Sequence, residues 1–217
     1  KRRKEENPMK YTNDLLLEIV GKIAEAQTDR AWRIESILES YNADDIKISS
    51  GATKFCLIIP TVDFVIKWSK DIDNEDTARE ISIYEDAVTN HLDCFFPKTE
   101  LFAEIDGYVF VKQEKIDYAA CDMQYTERRR YEKISRTVPH NLVKKMNKGV
   151  QLPDCDYCRQ LDHLWAKTVI SLYGKKCAKD LCDFIQKHYI SDLHKANIGY
   201  KNHRPVILDF CGYYGSY

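Results

Sequence analysis

The hydrophobic period of the chain changes at Asp45, and that change limits the fold more than any other feature of the sequence. Before it, Leu15, Leu16, Ile19, Val20 and Ile23 recur at spacings of three and four. This predicts an amphipathic helix with Thr12 or Asn13 within reach as its N-cap. Trp32, Ile34, Ile37, Leu38 and Tyr41 predict a second helix. Beyond Asp45, Ile46 and Ile48 alternate with polar residues, and Ser49-Ser50-Gly51-Ala52 makes a turn. Phe55 to Ile59 is an apolar run stopped by Pro60, and Phe64 to Trp68 follows the Thr61-Val62-Asp63 turn. Short apolar runs joined by tight turns read as antiparallel strands. Asp73 to His91 is helical again, with Ala78, Ile81, Tyr84 and Val88 on one face, and strands follow near Lys98 to Phe102 and Tyr108 to Val111. The order is three strands, a helix and two strands.

The second half is mainly helical. Residues 120–148 are polar and charged, Tyr157 to Leu172 is amphipathic, and Ala178 to His188 carries Leu181, Phe184 and Ile185 on one side. Ile190 to Phe210 breaks the pattern and predicts a loop followed by a hairpin turning at Asn202-His203-Arg204. The fold class is therefore α+β, in three parts: a helical extension over 1–45, a sheet-bearing part over 46–117 and a helical part over 118–217. With 33 basic and 34 acidic residues, the chain lacks the net positive charge of a nucleic-acid coat protein. No apolar run reaches the roughly 18 to 20 residues of a membrane span, and no hydrophobic signal segment opens the chain. The first residue is Lys1, which points to a trimmed or internal start. The expected compartment is cytoplasmic, with the eight cysteines as reduced, mostly buried thiols. Cys155-Asp156-Tyr157-Cys158, followed by His163, is a C-x-x-C knuckle that would make half of a zinc site, but Cys177 and Cys182 stand at too loose a spacing to complete it, and cysteines on a helix face are the favoured reading. Trp32, Trp68 and Trp165 fall at core spacing.

The chemistry-bearing residues lie near the C-terminus. Ile190-Ser191-Asp192-Leu193-His194-Lys195-Ala196-Asn197-Ile198-Gly199 follows a helix, and Ile207-Leu208-Asp209-Phe210 closes the hairpin. This arrangement resembles the catalytic loop and metal-binding Asp of the protein-kinase-like fold, whose signature is H-R-D-L-x-x-x-N followed by D-F-G. The Asp192-Leu193-His194 form is closer to the D-L-H-x-x-N of aminoglycoside, choline and lipopolysaccharide kinases, and is similar to small kinase-like proteins of bacteria and their phages. Phosphoryl transfer needs a carboxylate beside the attacking hydroxyl and oxygen ligands for magnesium. The resemblance makes Asp192 the base, and Asn197 and Asp209 the metal ligands.

The upstream half carries further matches. Phe64-Val65-Ile66-Lys67 resembles the family's V-A-I-K, which makes Lys67 the lysine for the nucleotide phosphates. Arg79-Glu80-Ile81 is similar to the family's R-E-I, which makes Glu80 its partner, with Glu85 as the fallback. Ser49-Ser50-Gly51-Ala52-Thr53 stands where the family has a glycine-rich loop, with Ser50 and Gly51 against the phosphates. Lys112-Gln113-Glu114-Lys115-Ile116-Asp117 resembles the hinge. There the Glu114 carbonyl and Ile116 amide would meet adenine, with Gln113 as gatekeeper.

The resemblance implies a bilobal kinase-like fold over 46–217. Its N-lobe (46–117) would be a five-stranded antiparallel sheet with one helix, and its C-lobe (118–217) a reduced helical set. The departures are Ile190 and Ser191 in place of His and Arg, Cys211 in place of the D-F-G glycine, and no A-P-E segment after Gly212. These suit a minimal kinase or a fragment. The implied activity is ATP- and Mg2+-dependent phosphoryl transfer to a hydroxyl of an unidentified protein or small-molecule acceptor. The alternative is a weak or inactive kinase-like interaction module. Between Glu127 and Lys148 there are eight basic residues against two acidic, a stretch that can attract an acidic substrate or, against expectation, nucleic acid. The acceptor and the oligomeric state are not legible in the sequence.

Overall fold

A computed structural model of the chain describes residues 11–43, 45–72, 75–116, 163–190, 193, 197–201 and 204–211. They fall into two compact units, Lys1–Ala78 with Thr99–Lys115, and Arg79–Lys98 with Ile116–Tyr217.

The first unit joins two helices to a five-stranded antiparallel sheet. Helix α1 (Asn13–Ala26) buries Leu16, Ile19, Val20, Ile23 and Ala24, the three-and-four stripe. Thr12 caps it, its hydroxyl accepting from the Leu15 amide at 3.3 Å. Helix α2 (Ala31–Ser40) buries Ile34 and Leu38. Its end is a Schellman turn: Asn42 takes φ 51°, the Asn42 amide donates to the Glu39 carbonyl, and the Ala43 amide donates to that of Leu38.

The strands are β1 (Lys47–Ser50), β2 (Lys54–Ile58), β3 (Phe64–Ser69), β4 (Thr99–Ile105) and β5 (Tyr108–Glu114), in the order β1-β2-β3-β5-β4. Alternation along β3 divides the sheet's faces. Phe55, Leu57, Ile66, Trp68 and Phe110 belong to one core with Leu16, Ile19, Ile34 and Leu38 from the two helices. Trp68 lies 5.4 Å from Phe55 and 5.5 Å from Phe110, ring centre to ring centre. The predicted helical extension therefore shares the core of the sheet. Trp32 does not: it is 56% exposed, which corrects its assignment to the core. The helix spacing that suggested it is satisfied by buried Ile34 and Leu38, with Ile37 and Tyr41 partly buried against the same core. The side chain of Trp165 lies outside the described residues.

β4 and β5 run to Ile105 and Glu114, three residues beyond the predicted ends. Their turn is Asp106-Gly107, with φ 49° and 82°. Positive φ at both central positions of a two-residue hairpin loop is the reason for an Asp-Gly pair. A Cβ at Gly107 would also stand 2.7 Å from Ile72 Cδ1.

Helix α3 (Asp76–Thr89) enters the second unit at Arg79. Its buried residues are Thr77, Glu80, Ile83 and Ala87, not the predicted Ala78, Ile81, Tyr84 and Val88; Val88 is 47% exposed. Apolar residues alone gave the wrong phase because two of the buried positions are polar. A Schellman turn ends α3 as well, with His91 at φ 57° and the Leu92 amide donating to Ala87. After a short 3-10 turn (Asp93–Phe95) come α4 (His163–Lys187), β6 (Ile198–Lys201) and β7 (Arg204–Ile207). Gly174, at φ 81°, interrupts α4 between the two predicted helices. Ile83, Ala87, Phe95 and Phe96 share a core with Leu181, Phe184, Ile185, Leu193, Ile198, Ile207 and Phe210.

Candidate functional site

The hairpin of β6 and β7 places two of the candidate ligands. Its register pairs Ile198 with Ile207, and the next rung is the Leu208 amide donating to the Asn197 carbonyl at 2.8 Å. Asn197 and Asp209 therefore leave the same open end of the hairpin. Phe210, fully buried in the second unit's core, fixes the chain immediately after Asp209.

Glu80 on α3 is fully buried. Its carboxylate, that of Asp209 and the Cys211 thiol offer ligand atoms all within 4.8 Å of one another, the one grouping of this kind among the described residues. The Cys211 thiol also lies 3.5 Å from Asp209 Oδ1, as a donor to it. Two carboxylates are hard oxygen donors of the sort that hold magnesium or manganese, whereas a thiolate suits softer ions. Glu80 and Asp209 could therefore hold a hard divalent ion, whereas Cys211 lies outside the preferred chemistry of one. Sequence reading treats Cys211 only as a departure from a motif. Its nearness to two acids is not readable from spacing.

Around this cluster the backbone is held by Arg79. One terminal nitrogen of its guanidinium donates to the Cys211 carbonyl and the other to the His188 carbonyl. His188 Nε2 lies 2.6 Å from Asp86 Oδ2, and Lys187 Nζ is 2.7 Å from the same oxygen. Lys187 and then His188, by hydrogen bonding, hold the Asp86 carboxyl below its ordinary value of 3.8.

In the first unit, Lys67 is 9% exposed. It lies on the sheet face opposite Trp68, where Nζ donates to Gln113 Oε1 at 3.2 Å. Gln113 Nε2 in turn donates to Thr99 Oγ1 at 3.2 Å. The β1–β2 turn carrying Ser50 and Gly51 is closed by the Gly51 amide donating to the Lys54 carbonyl at 2.9 Å. Lys70 secures it twice: its amide donates to Thr53 at 2.8 Å and its ammonium to the Gly51 carbonyl. A Cβ on Gly51 would meet only the Lys54 carbonyl oxygen at 3.7 Å, so neither φ nor local packing requires glycine there. Glu114 ends β5 opposite Phe64.

Ile116 lies against the β6–β7 hairpin in the second unit. A Cβ at Gly199 would approach its Cγ2 and the Leu208 Cδ1 to 3.3 Å, so glycine permits the contact. Glu85, the fallback partner for Lys67, is exposed on α3. Asp192 lies outside the described residues, as do the basic stretch 127–148, Cys155 and Cys158. Of the other thiols weighed for zinc, Cys182 is buried on α4, and burial pushes it up to about 12. No helix among the described residues is long and apolar enough to cross a membrane. Comparison with family models, with curated proteins and with solved structures returns no match for this chain.

Proposed function

We propose that the chain is an ATP- and divalent-metal-dependent phosphotransferase with a bilobal kinase-like architecture. The observation that carries this reading is the β6–β7 register: it brings Asn197 and Asp209 out at one end of a hairpin, where Asp209 lies beside buried Glu80. The motif resemblance asks for that pairing of an amide and a carboxylate. A chance pair of turn-forming residues has no reason to share it with a buried acid.

Asp209 and Asn197 would hold the metal ion, and Glu80 stands within reach of it. The chemistry such an ion supplies is neutralisation of charge on the phosphate oxygens. Lys67, a buried cation on a sheet, is assigned to the nucleotide phosphates. Asp192 is assigned to the acceptor's hydroxyl proton, and the backbone of Glu114 and Ile116 to adenine. Gly51 and Ser50 would meet the phosphates from the β1–β2 turn. The acceptor stays open, because these residues specify the phosphate donor.

Thermal unfolding with ATP, with and without Mg2+ or Mn2+, tests the reading. Stabilisation by ATP plus metal should exceed that by ATP alone, and Asp209→Ala should abolish the difference. Equal stabilisation of the parent by ATP with and without metal would overturn the reading. So would an Asp209→Ala variant that keeps the metal response. A parent that ignores ATP altogether would leave the interaction module as the better description.

A further inference from the structure

The guanidinium of Arg79 donates to two carbonyls, those of His188 and Cys211. They stand at either end of the stretch that carries Asn197 and Asp209. Resting on the phosphotransferase reading, we infer that Arg79 is the positioning residue of the metal site. It fastens both ends of this stretch to the turn of α3 whose next residue is Glu80.

Several independent features fit that role. The side chain reaches 109 residues down the chain to one carbonyl and 132 to the other, so no local structure explains either bond. His188 is the C-cap of α4: Tyr189 follows at φ 51°, its amide donates to Gln186, and the Ile190 amide donates to Ile185. In such a Schellman turn the capping residue's own carbonyl is left over, and Arg79 takes it. Asp86, seven residues and two turns along the same face of α3, holds the His188 ring at 2.6 Å and Lys187 at 2.7 Å. The α4 end is thereby gripped at two points, and Arg79 extends the grip to Cys211. Arginine suits this geometry because its planar fork aims two separate nitrogens at two acceptors, where all of lysine's donors sit on one nitrogen.

The test uses the whole chain and the variants Arg79→Lys and Arg79→Gln. The first readout is the alkylation rate of each cysteine by N-ethylmaleimide, resolved by peptide mass spectrometry. Cys211 is 2% exposed beside the clamp, and Cys182, 6% exposed in the α4 core, is the internal control for loss of fold. The second readout is the Mg2+ or Mn2+ concentration giving half-maximal ATP stabilisation. In both variants Cys211 labelling should rise about tenfold or more while Cys182 labelling stays unchanged, and the metal requirement should rise by a similar factor. Unchanged Cys211 labelling overturns the inference, as does a parallel rise at Cys182, which would mean general loosening. Faster Cys211 labelling with an unchanged metal requirement overturns the positioning role. A parent chain without metal-dependent ATP binding brings down the phosphotransferase reading and the role together, whatever the labelling.

Discussion

The ring of Phe210 stands edge-on to that of Phe96, with centroids 5.1 Å apart and planes at 68°. Phe96 also meets Phe184 of α4 at 5.5 Å. Through these rings the residue next to Asp209 is tied to the segment after α3 and to α4 at once. The contact joins stability to the site, since the core that holds Phe210 also sets where Asp209 leaves the hairpin.

Phe210→Ala should therefore cost about 3–5 kcal/mol, the usual range for emptying a fully buried phenylalanine site. Urea unfolding followed by circular dichroism measures it. A loss under about 1 kcal/mol would show that the aromatic cluster does not anchor this end of the hairpin. Phe210→Leu should lose less, because it keeps most of the apolar volume.

Gly107 and Gly51 should respond in opposite ways. Gly107 sits at φ 82° with Ile72 Cδ1 2.7 Å from where a Cβ would be, so Gly107→Ala meets both a disfavoured backbone and a clash. The expected destabilisation is roughly 1–3 kcal/mol. Adding Ile72→Ala should recover only the steric part. Gly51→Ala meets neither obstacle and should leave stability within about 0.5 kcal/mol. Its effect should appear in nucleotide affinity, where a phosphate approaching the turn would meet the new methyl. A Gly51→Ala variant that binds ATP as the parent does would remove this turn from the phosphate site.

The helix ends offer a stabilising change. Tyr189 occupies the left-handed position of a Schellman turn at φ 51° and is itself 56% exposed, so its ring contributes little burial. Glycine is the residue that position favours. Tyr189→Gly should stabilise by about 0.5–1 kcal/mol, seen as a higher urea midpoint. A lower midpoint would mean that the tyrosine ring makes a contribution that its exposure does not reveal.

The sequence was most readable where a single period operates. The strands of the first unit follow from short apolar runs bounded by turns, and α1 and α2 from stripes of three and four. Reading failed where burial and polarity part company. Thr77 and Glu80 are buried on α3, so a stripe of apolar residues misplaces that helix's inner face. Trp32 has the composition of a core residue and none of the burial. Within the candidate site, Asp209 and Asn197 were suggested as ligands by a motif that orders them along the chain. The grouping of Glu80 with Cys211 and the fork of Arg79 were not. Each joins residues more than a hundred positions apart, and only packing brings them together.

The α4 end carries a pH dependence whose sign follows from Asp86. Lys187 and His188 hold its carboxyl below the ordinary value of 3.8, so the folded state binds the proton more weakly than the unfolded chain does. The stabilisation this supplies is complete above the unfolded value and disappears as pH falls through the lower folded one. The parent and Asp86→Asn should therefore differ in stability at about pH 5, where Asp86 is charged in both states. The gap should close progressively below 3.8, once Asp86 is protonated in both states. Urea midpoints measured from pH 7 to pH 2.5 give the two curves. A gap that is still open at pH 2.5 would mean that the charge of Asp86 is not what holds Lys187 and His188.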